Sequence, residues 1–239
     1  MEKSILKEQV SYYQARATEY DEWHLRKGRY DRGEEHKRRW FGELEVVRSA
    51  LEREKPFGDC LELACGTGLW TQYLVQGAES LTAIDSASET IEINRAKIGD
   101  KSVRFEVADL FEWCPTRAYD FVFFGFWLSH VPPEQFDQFW NMVRCALKPS
   151  GKAFFVDSLL IQDSTARDHA QIDDSGTVER KLNDGQTFSI IKIFHDPDQL
   201  KQLLWELGFE SEVRKTGDFF YYGRMTTKES GQQDADRTP

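Results

Sequence analysis

The sequence predicts an α/β protein built on a doubly wound sheet, and three observations carry that prediction. Residues 60–71 read as an apolar strand, a turn with glycines at Gly66 and Gly68, and a helical start. Three successive predicted strands end at or near an acid, at Glu62, Asp85 and Asp109. Strand-type and helix-type segments alternate from the glycine turn to residue 158, as they do where crossover helices join parallel strands.

The glycine turn comes first because it narrows the ligand. Two glycines after a strand let backbone approach a ligand without Cβ interference, and the next helix start offers unpaired N–H groups. Glu62 precedes Gly66 by four residues. A carboxylate there repels a pyrophosphate but suits a cationic or amine-bearing ligand. In a doubly wound sheet ligands sit outside the carboxyl ends of the strands, which places Asp85 to hold a ribose diol. The three acids together suit an amino group, a ribose and an adenine amine.

The chain has 239 residues and a formal net charge of −10, with 40% hydrophobic and 30% charged residues. That length allows one large domain with additions. The acidic balance argues against nucleic-acid partners and favours small molecules. No run reaches the length of a membrane span, and the first residues lack the apolar core of a secretory signal, so a cytoplasmic protein without membrane partners is expected. Cys60, Cys65, Cys114 and Cys145 show no Cys-x-x-Cys spacing and read as reduced core thiols, with neither a disulfide nor a metal site.

In chain order, residues 4–20 predict a helix whose Tyr12, Tyr13 and Tyr20, with Trp23 beyond, pack onto the core or form a lid over a pocket. Arg26, Lys27, Arg29 and Arg32 read as a solvated surface, and His36 as exposed. Apolar residues at spacings of three and four predict an amphipathic helix over 34–54. Further strands are predicted at 80–85, 103–107 and 119–125, the last apolar on both faces and therefore mid-sheet. A helix over 134–147, a turn at 148–151 and a strand at 152–158 follow. Asn183-Asp184-Gly185 between 176–182 and 186–194 is a hairpin signal that interrupts the alternation. Asp196 caps a helix through residue 207, and two short-linked strands, 210–215 and 218–225, pair antiparallel. The organisation expected is an N-terminal helical lid over 1–54, a core over 55–225 with the insertion 159–195 as substrate lid, and a disordered tail over 226–239.

Glu62-Leu-Ala-Cys-Gly66-Thr-Gly68, Asp85 ending the second strand, Ala108-Asp109-Leu110 after the third and Leu147-Lys-Pro-Ser-Gly151 before the fifth form an ordered set. On these motifs the chain resembles the class I S-adenosylmethionine-dependent methyltransferases over residues 55–225. Tyr12-Tyr13 with Ala17-x-x-Tyr20-Asp21 also looks like the N-terminal helix of small-molecule members. The resemblance implies a Rossmann-like seven-stranded sheet with an antiparallel last strand, and S-adenosylmethionine as cofactor. It implies that Gly66 and Gly68 lie beneath the methionine part, Glu62 holds its amino end and Asp85 the ribose. Asp109 and Leu110 take the adenine and Phe126 the methionine chain, with Tyr20, Ala64, Thr71 and Ser86 completing the cofactor site. Trp70 stands where a third glycine is usual, which leaves its ring to pack under the sheet or face the lid.

Methyl transfer from a sulfonium gains most from positioning and desolvation, while an O or N nucleophile can also need a base. His130, beyond the fourth strand, is the candidate base, against a reading as a loop histidine. Tyr12, Tyr13, Trp127, His130 and Arg180 are the expected acceptor-side residues, with Arg180 and Lys181 suited to an acidic group; His24, His169 and His195 are weaker candidates. The function expected is methylation of a small metabolite on O or N, by a monomer or homodimer. A cofactor-binding but inactive partner or sensor, and a nicotinamide-dependent dehydrogenase, stand as alternatives.

Overall fold

The computed structural model describes residues 2–99, 103–171 and 175–228. Seven strands, β1 (Gly58–Leu63), β2 (Ala78–Asp85), β3 (Val103–Val107), β4 (Tyr119–Gly125), β5 (Leu147–Ser158), β8 (Phe209–Lys215) and β9 (Phe220–Thr227), form one sheet in the order β3-β2-β1-β4-β5-β9-β8. The first five are parallel, and β9 runs antiparallel between β5 and β8. The strand order reverses between β1 and β4, so their carboxyl ends open the crevice where ligands of such sheets sit. This is a Rossmann-like methyltransferase fold with a separate hairpin, β6 (Thr177–Lys181) and β7 (Thr187–Ile191).

β4 shows why this sheet is covered on both faces. Its side chains alternate, sending Phe121 and Phe123 to a core with Trp40, Leu44 and Val47 of α3 (Glu34–Glu52). Val122 and Phe124 go to the opposite core, with Phe139 and Trp140 of α6 (Pro133–Ala146) and Leu200 and Leu204 of α7 (Pro197–Glu206). Beyond Asp120 the strand is apolar on both faces, and such a strand lies in the middle of the sandwich. Pro133 opens α6 and Asp196 caps α7 by accepting from Asp198 N and Gln199 N, as the composition of those turns dictates.

The N-terminal segment divides where one helix was expected. α1 (Glu2–Arg16) and α2 (Tyr20–His24) are separated by a turn, which re-aims the aromatic residues between them. α1 lies along β7: Tyr12 packs with Val178, Leu182 and Ile190, Glu8 Oε1 accepts from Ser189 N at 2.7 Å, and Gln9 Oε1 accepts from Ile191 N at 3.1 Å. Two segments far apart in sequence therefore make one roof over the sheet's carboxyl edge.

Other expectations change. Arg26, read as solvated, is fully buried: its guanidinium donates to Ser164 O at 3.0 Å and Asp163 O at 2.8 Å and lies 4.2 Å from the Trp40 ring centroid. The irregular loop after β5 carries carbonyls without a ladder to join, and this side chain supplies the donors. His36 is buried for the same reason, its Nε2 3.1 Å from Asp163 O, so it donates there. Cys60 and Cys65 are buried, but Cys114 and Cys145 are exposed rather than core thiols. β9 includes Thr226 and Thr227, the start of the expected tail; residues 229–239 lie outside the described residues. Among the described residues no helix is long and apolar enough to cross a membrane.

Removing the Arg26 fork leaves Ser164 O with Trp23 Nε1 and Asp163 O with His36 Nε2 as donors and opens a cavity beside Trp40, at a cost of about 2–4 kcal/mol. Arg26→Ala is expected to lower the urea midpoint accordingly with the m-value unchanged, and Arg26→Lys to recover only part of it, because an ammonium cannot span both carbonyls while stacking on Trp40.

Candidate active site

The glycine turn is held from both sides. Ala64, Gly66 and Gly68 have φ of 52°, 50° and 88°, the left-handed region that only glycine enters freely. Gly66 N donates to Asp85 Oδ2 at 2.8 Å and Ala87 N to Asp85 Oδ1 at 2.9 Å, so the carboxylate, with Ser86 N and the Thr90 side chain as further partners, clamps the turn to the start of α5 (Ser88–Ile98). Behind it, Thr71 Oγ1 donates to Glu62 Oε2 at 2.6 Å, and Asn94 Nδ2 donates to Thr71 Oγ1 at 2.8 Å and Gly66 O at 3.3 Å. Burial pushes the Glu62 carboxyl up to about 8, against the Thr71 hydrogen bond. Burial also raises Asp85, with the N–H donors of Ala87 and Gly66 opposing it.

Trp70 resolves toward the sheet. Its ring is buried against Phe123, centroids 5.4 Å apart, and a Cβ on Gly125 would lie 2.8 Å from it, so the indole fills the space where β4 ends in glycine. Phe126, next in the chain, takes φ of 58°, a costly conformation for a bulky residue, fixed by its N–H donating to Val156 O at 2.7 Å.

Two chambers meet at this turn. The first is lined by Ala64, Gly66, Asp85, Ser86, Leu110 and Trp127. The second lies under the roof and is lined by Arg16, Tyr30, His169, Arg180, Lys192 and others. Tyr13, Tyr20, Phe126 and His130 line both, and this shared set of side chains is called the window between them.

Of the expected cofactor positions, Tyr20, Ala64, Gly66, Asp85, Ser86, Leu110 and Phe126 therefore stand at the first chamber. Glu62, Gly68, Thr71 and Asp109 do not line it. Glu62 and Thr71 brace the turn from behind, Gly68 packs over Asn94, and Asp109 spends Oδ1 on Phe111 N at 2.9 Å. Of the acceptor-side set, Tyr13, His130 and Arg180 reach the second chamber. Tyr12, one residue around the helix, turns into the roof's own core, and Trp127 faces the first chamber beside Phe111. Lys181 is exposed because strand alternation sends it opposite to Arg180. Arg16, Lys192 and His169 were not singled out for this chamber or stood low among the histidines. Arg16 was legible, lying one helical turn from Tyr13 and so on the same face.

His130 is engaged at both nitrogens. Nδ1 is 2.6 Å from Ile191 O, a carbonyl that can only accept, so Nδ1 carries the proton. Neutral Nε2 then accepts from the Tyr13 hydroxyl at 2.8 Å. Burial, then the Lys192 and Arg180 charges, push this imidazole well below the usual histidine value, while burial raises Tyr13 well above the usual tyrosine value. Nearby, Lys192 Nζ donates to Ser129 Oγ at 2.6 Å and lies 3.6 Å from Asp157, which also accepts from Ser129 N and Oγ, both at 2.8 Å.

The first chamber fits an adenosyl cofactor: a small apolar lining from Ala64, Leu110 and Trp127, an acid at the end of β2, and a glycine turn open to the ligand. That fold and site define a cofactor-binding transferase of the doubly wound type. Residues 60–151 match a family model for a methyltransferase domain. The solved complex of DhpI with SAH is 34% identical, covering 94% of this chain and 97% of that one, with a TM-score of 0.78. The DhpI complex with SAM and HEP gives 34% over 92% and 97%, with a TM-score of 0.77. The Burkholderia thailandensis 1,6-didemethyltoxoflavin-N1-methyltransferase shares the fold at 14% identity, 94% and 89% coverage and a TM-score of 0.58. None of the curated proteins matches this chain. The chain belongs to the S-adenosylmethionine-dependent methyltransferases, and S-adenosylmethionine is its cofactor.

All five histidines, His24, His36, His130, His169 and His195, are lowered from 6.5, with burial the first cause in each and His24 and His169 reaching about 4. The unfolded chain binds protons that the folded chain refuses, so the stability they contribute is present above 6.5 and lost as pH falls toward 4. Glu62, raised instead, works the other way as pH rises toward about 8. The melting temperature is expected to drop between pH 6.5 and 4.5, with a limiting slope of about 1.4 kcal/mol per pH unit for each histidine; a flat profile there contradicts the buried, neutral assignments.

Proposed function

We propose that this methyltransferase acts on a small molecule, placing the methyl on an oxygen or nitrogen of an acceptor held in the second chamber. The observation that carries the reading is the window: the same four side chains line both chambers, so reactants on either side share one desolvated gap. The joint presence of SAM and HEP in the DhpI complex agrees with it. When bound, the cofactor supplies an electrophilic methyl on a sulfonium. Phe126 and Tyr20 wall that gap and exclude water; Asp85 holds the ribose side and Leu110 the base; Tyr13 and His130 set the acceptor's approach.

The geometry changes the role assigned to His130. An imidazole whose Nδ1 is donated to Ile191 and whose Nε2 lone pair takes the Tyr13 proton has no free site for an acceptor's proton. We assign it to orienting the Tyr13 hydroxyl instead of general-base work.

Two measurements test these statements. Calorimetry on the full chain is expected to show binding of S-adenosylmethionine and S-adenosylhomocysteine but not NAD, and NAD binding alone ends the assignment. With a turned-over acceptor in hand, kcat is expected to stay level as pH falls from 8 to 5, and His130→Asn to lower it by roughly 100-fold or less, the scale of misplacement. A limb below pH 6.5, where this depressed imidazole titrates, that vanishes in the variant would restore the base role.

A further inference from the structure

On the reading that the second chamber holds the methyl acceptor, we propose that this acceptor is a small oxyacid and that an oxygen of its anionic group receives the methyl. Three cations, Arg16, Arg180 and Lys192, line the chamber, and among the described residues no carboxylate does. Lys192 has Asp157 and Ser129 as partners. The two arginines, each 8% exposed, have no carboxylate partner among the described residues. Arg16 Nε and Arg180 Nη1 are buried without a hydrogen-bond partner, and Arg16 otherwise reaches only the Tyr30 hydroxyl, at 3.5 Å. Buried guanidinium groups left in that state are costly, and their planar forks match a two-oxygen anion. An ammonium-bearing acceptor would add to the uncompensated charge, and a neutral one would leave it standing.

The anchor is close to the window. Arg16's guanidinium carbon is 4.8 Å from the centroid of Tyr20, whose ring lines both chambers. An anion seated there presents an oxygen to the gap. The proton economy agrees: an ionised oxyacid has no proton to lose, so the Tyr13–His130 pair is not called on as a base. Its oxygen lone pair forms the O–CH3 bond while the C–S bond breaks and its electron pair returns to sulfur. The oxyanion's negative charge and the sulfonium's positive charge disappear together, leaving a methyl ester and a thioether. The ester has lost one charge from its hold on the arginines, which favours its release.

The test uses the full chain loaded with S-adenosylhomocysteine and titrated with phosphate, sulfate and acetate, followed by S-adenosylhomocysteine formation from small carboxylic and phosphoric-type acids beside their neutral amides and alcohols. At least one anion is expected to bind, phosphate against acetate telling which type of oxyacid fits. Arg180→Ala should weaken that binding, and raise KM for a turned-over acid, by roughly 10- to 100-fold, with S-adenosylmethionine affinity unchanged and partial recovery in Arg180→Lys. The lysine variant also guards against a folding defect. Binding of none of the three anions, or methylation of neutral or amine acceptors in preference to acids, overturns the oxyacid assignment and leaves the small-molecule reading intact. Loss of S-adenosylmethionine binding in the unaltered protein would instead strike that reading itself.

Discussion

The contact on which the rest of the site depends is the hydrogen bond from His130 Nδ1 to the Ile191 carbonyl. Because a carbonyl only accepts, this one bond decides which imidazole nitrogen carries the proton, and so obliges Nε2 to accept from Tyr13. It also ties the hairpin to the loop after β4. Its neighbours repeat the connection: Ile193 N donates to Ser129 O at 2.8 Å, and Lys192, Ser129 and Asp157 form a buried polar cluster between β7 and the end of β5. Gln9 joins the third segment, accepting from Ile191 N and donating to His130 O. α1, the loop after β4 and the insertion are thus tied at one place, and the window lies beneath it.

The two chambers differ in charge as well as shape. The cofactor side presents Asp85 and the apolar faces of Ala64, Leu110 and Trp127; the roofed side presents Arg16, Arg180 and Lys192. Inside a low-dielectric cavity such a division matters more than the net charge of the whole chain, because interactions there are barely screened. On the proposed reading a sulfonium stands on one side and an anion on the other, and reaction between them would cancel both charges.

Backbone strain follows the same division of labour. Ala64 and Phe126, both with positive φ, flank the mouth of the crevice at the ends of β1 and β4. Each is held by bonds of adjacent residues to the sheet, such as Cys65 N to Ile84 O and Phe126 N to Val156 O. The parallel sheet supplies the rigidity that lets two non-glycine residues stay in a conformation their side chains disfavour.

Local pattern determined a good deal. β3 was readable to the residue because a period-two apolar run ends at turns, β4 because a run apolar on both faces does, the Asn183-Asp184-Gly185 hairpin because only certain residues accept its φ angles, and the Gly66–Gly68 turn because glycines sit at fixed places after such strands. What the tertiary structure alone decided is which side chains meet across long sequence separations. Tyr12 and Tyr13 are adjacent in sequence and alike in chemistry, yet one fills the roof and the other reaches the window, since which face of α1 meets the hairpin is set by packing. Arg26 and His36 looked like surface charge until the loop at 162–165 brought its unpaired carbonyls to them. The same holds for Arg16, Arg180 and Lys192: three cations from a helix and a distant hairpin line one chamber only when both are folded over the same sheet edge, because charge in a chain is local while the field in a cavity is a sum over space.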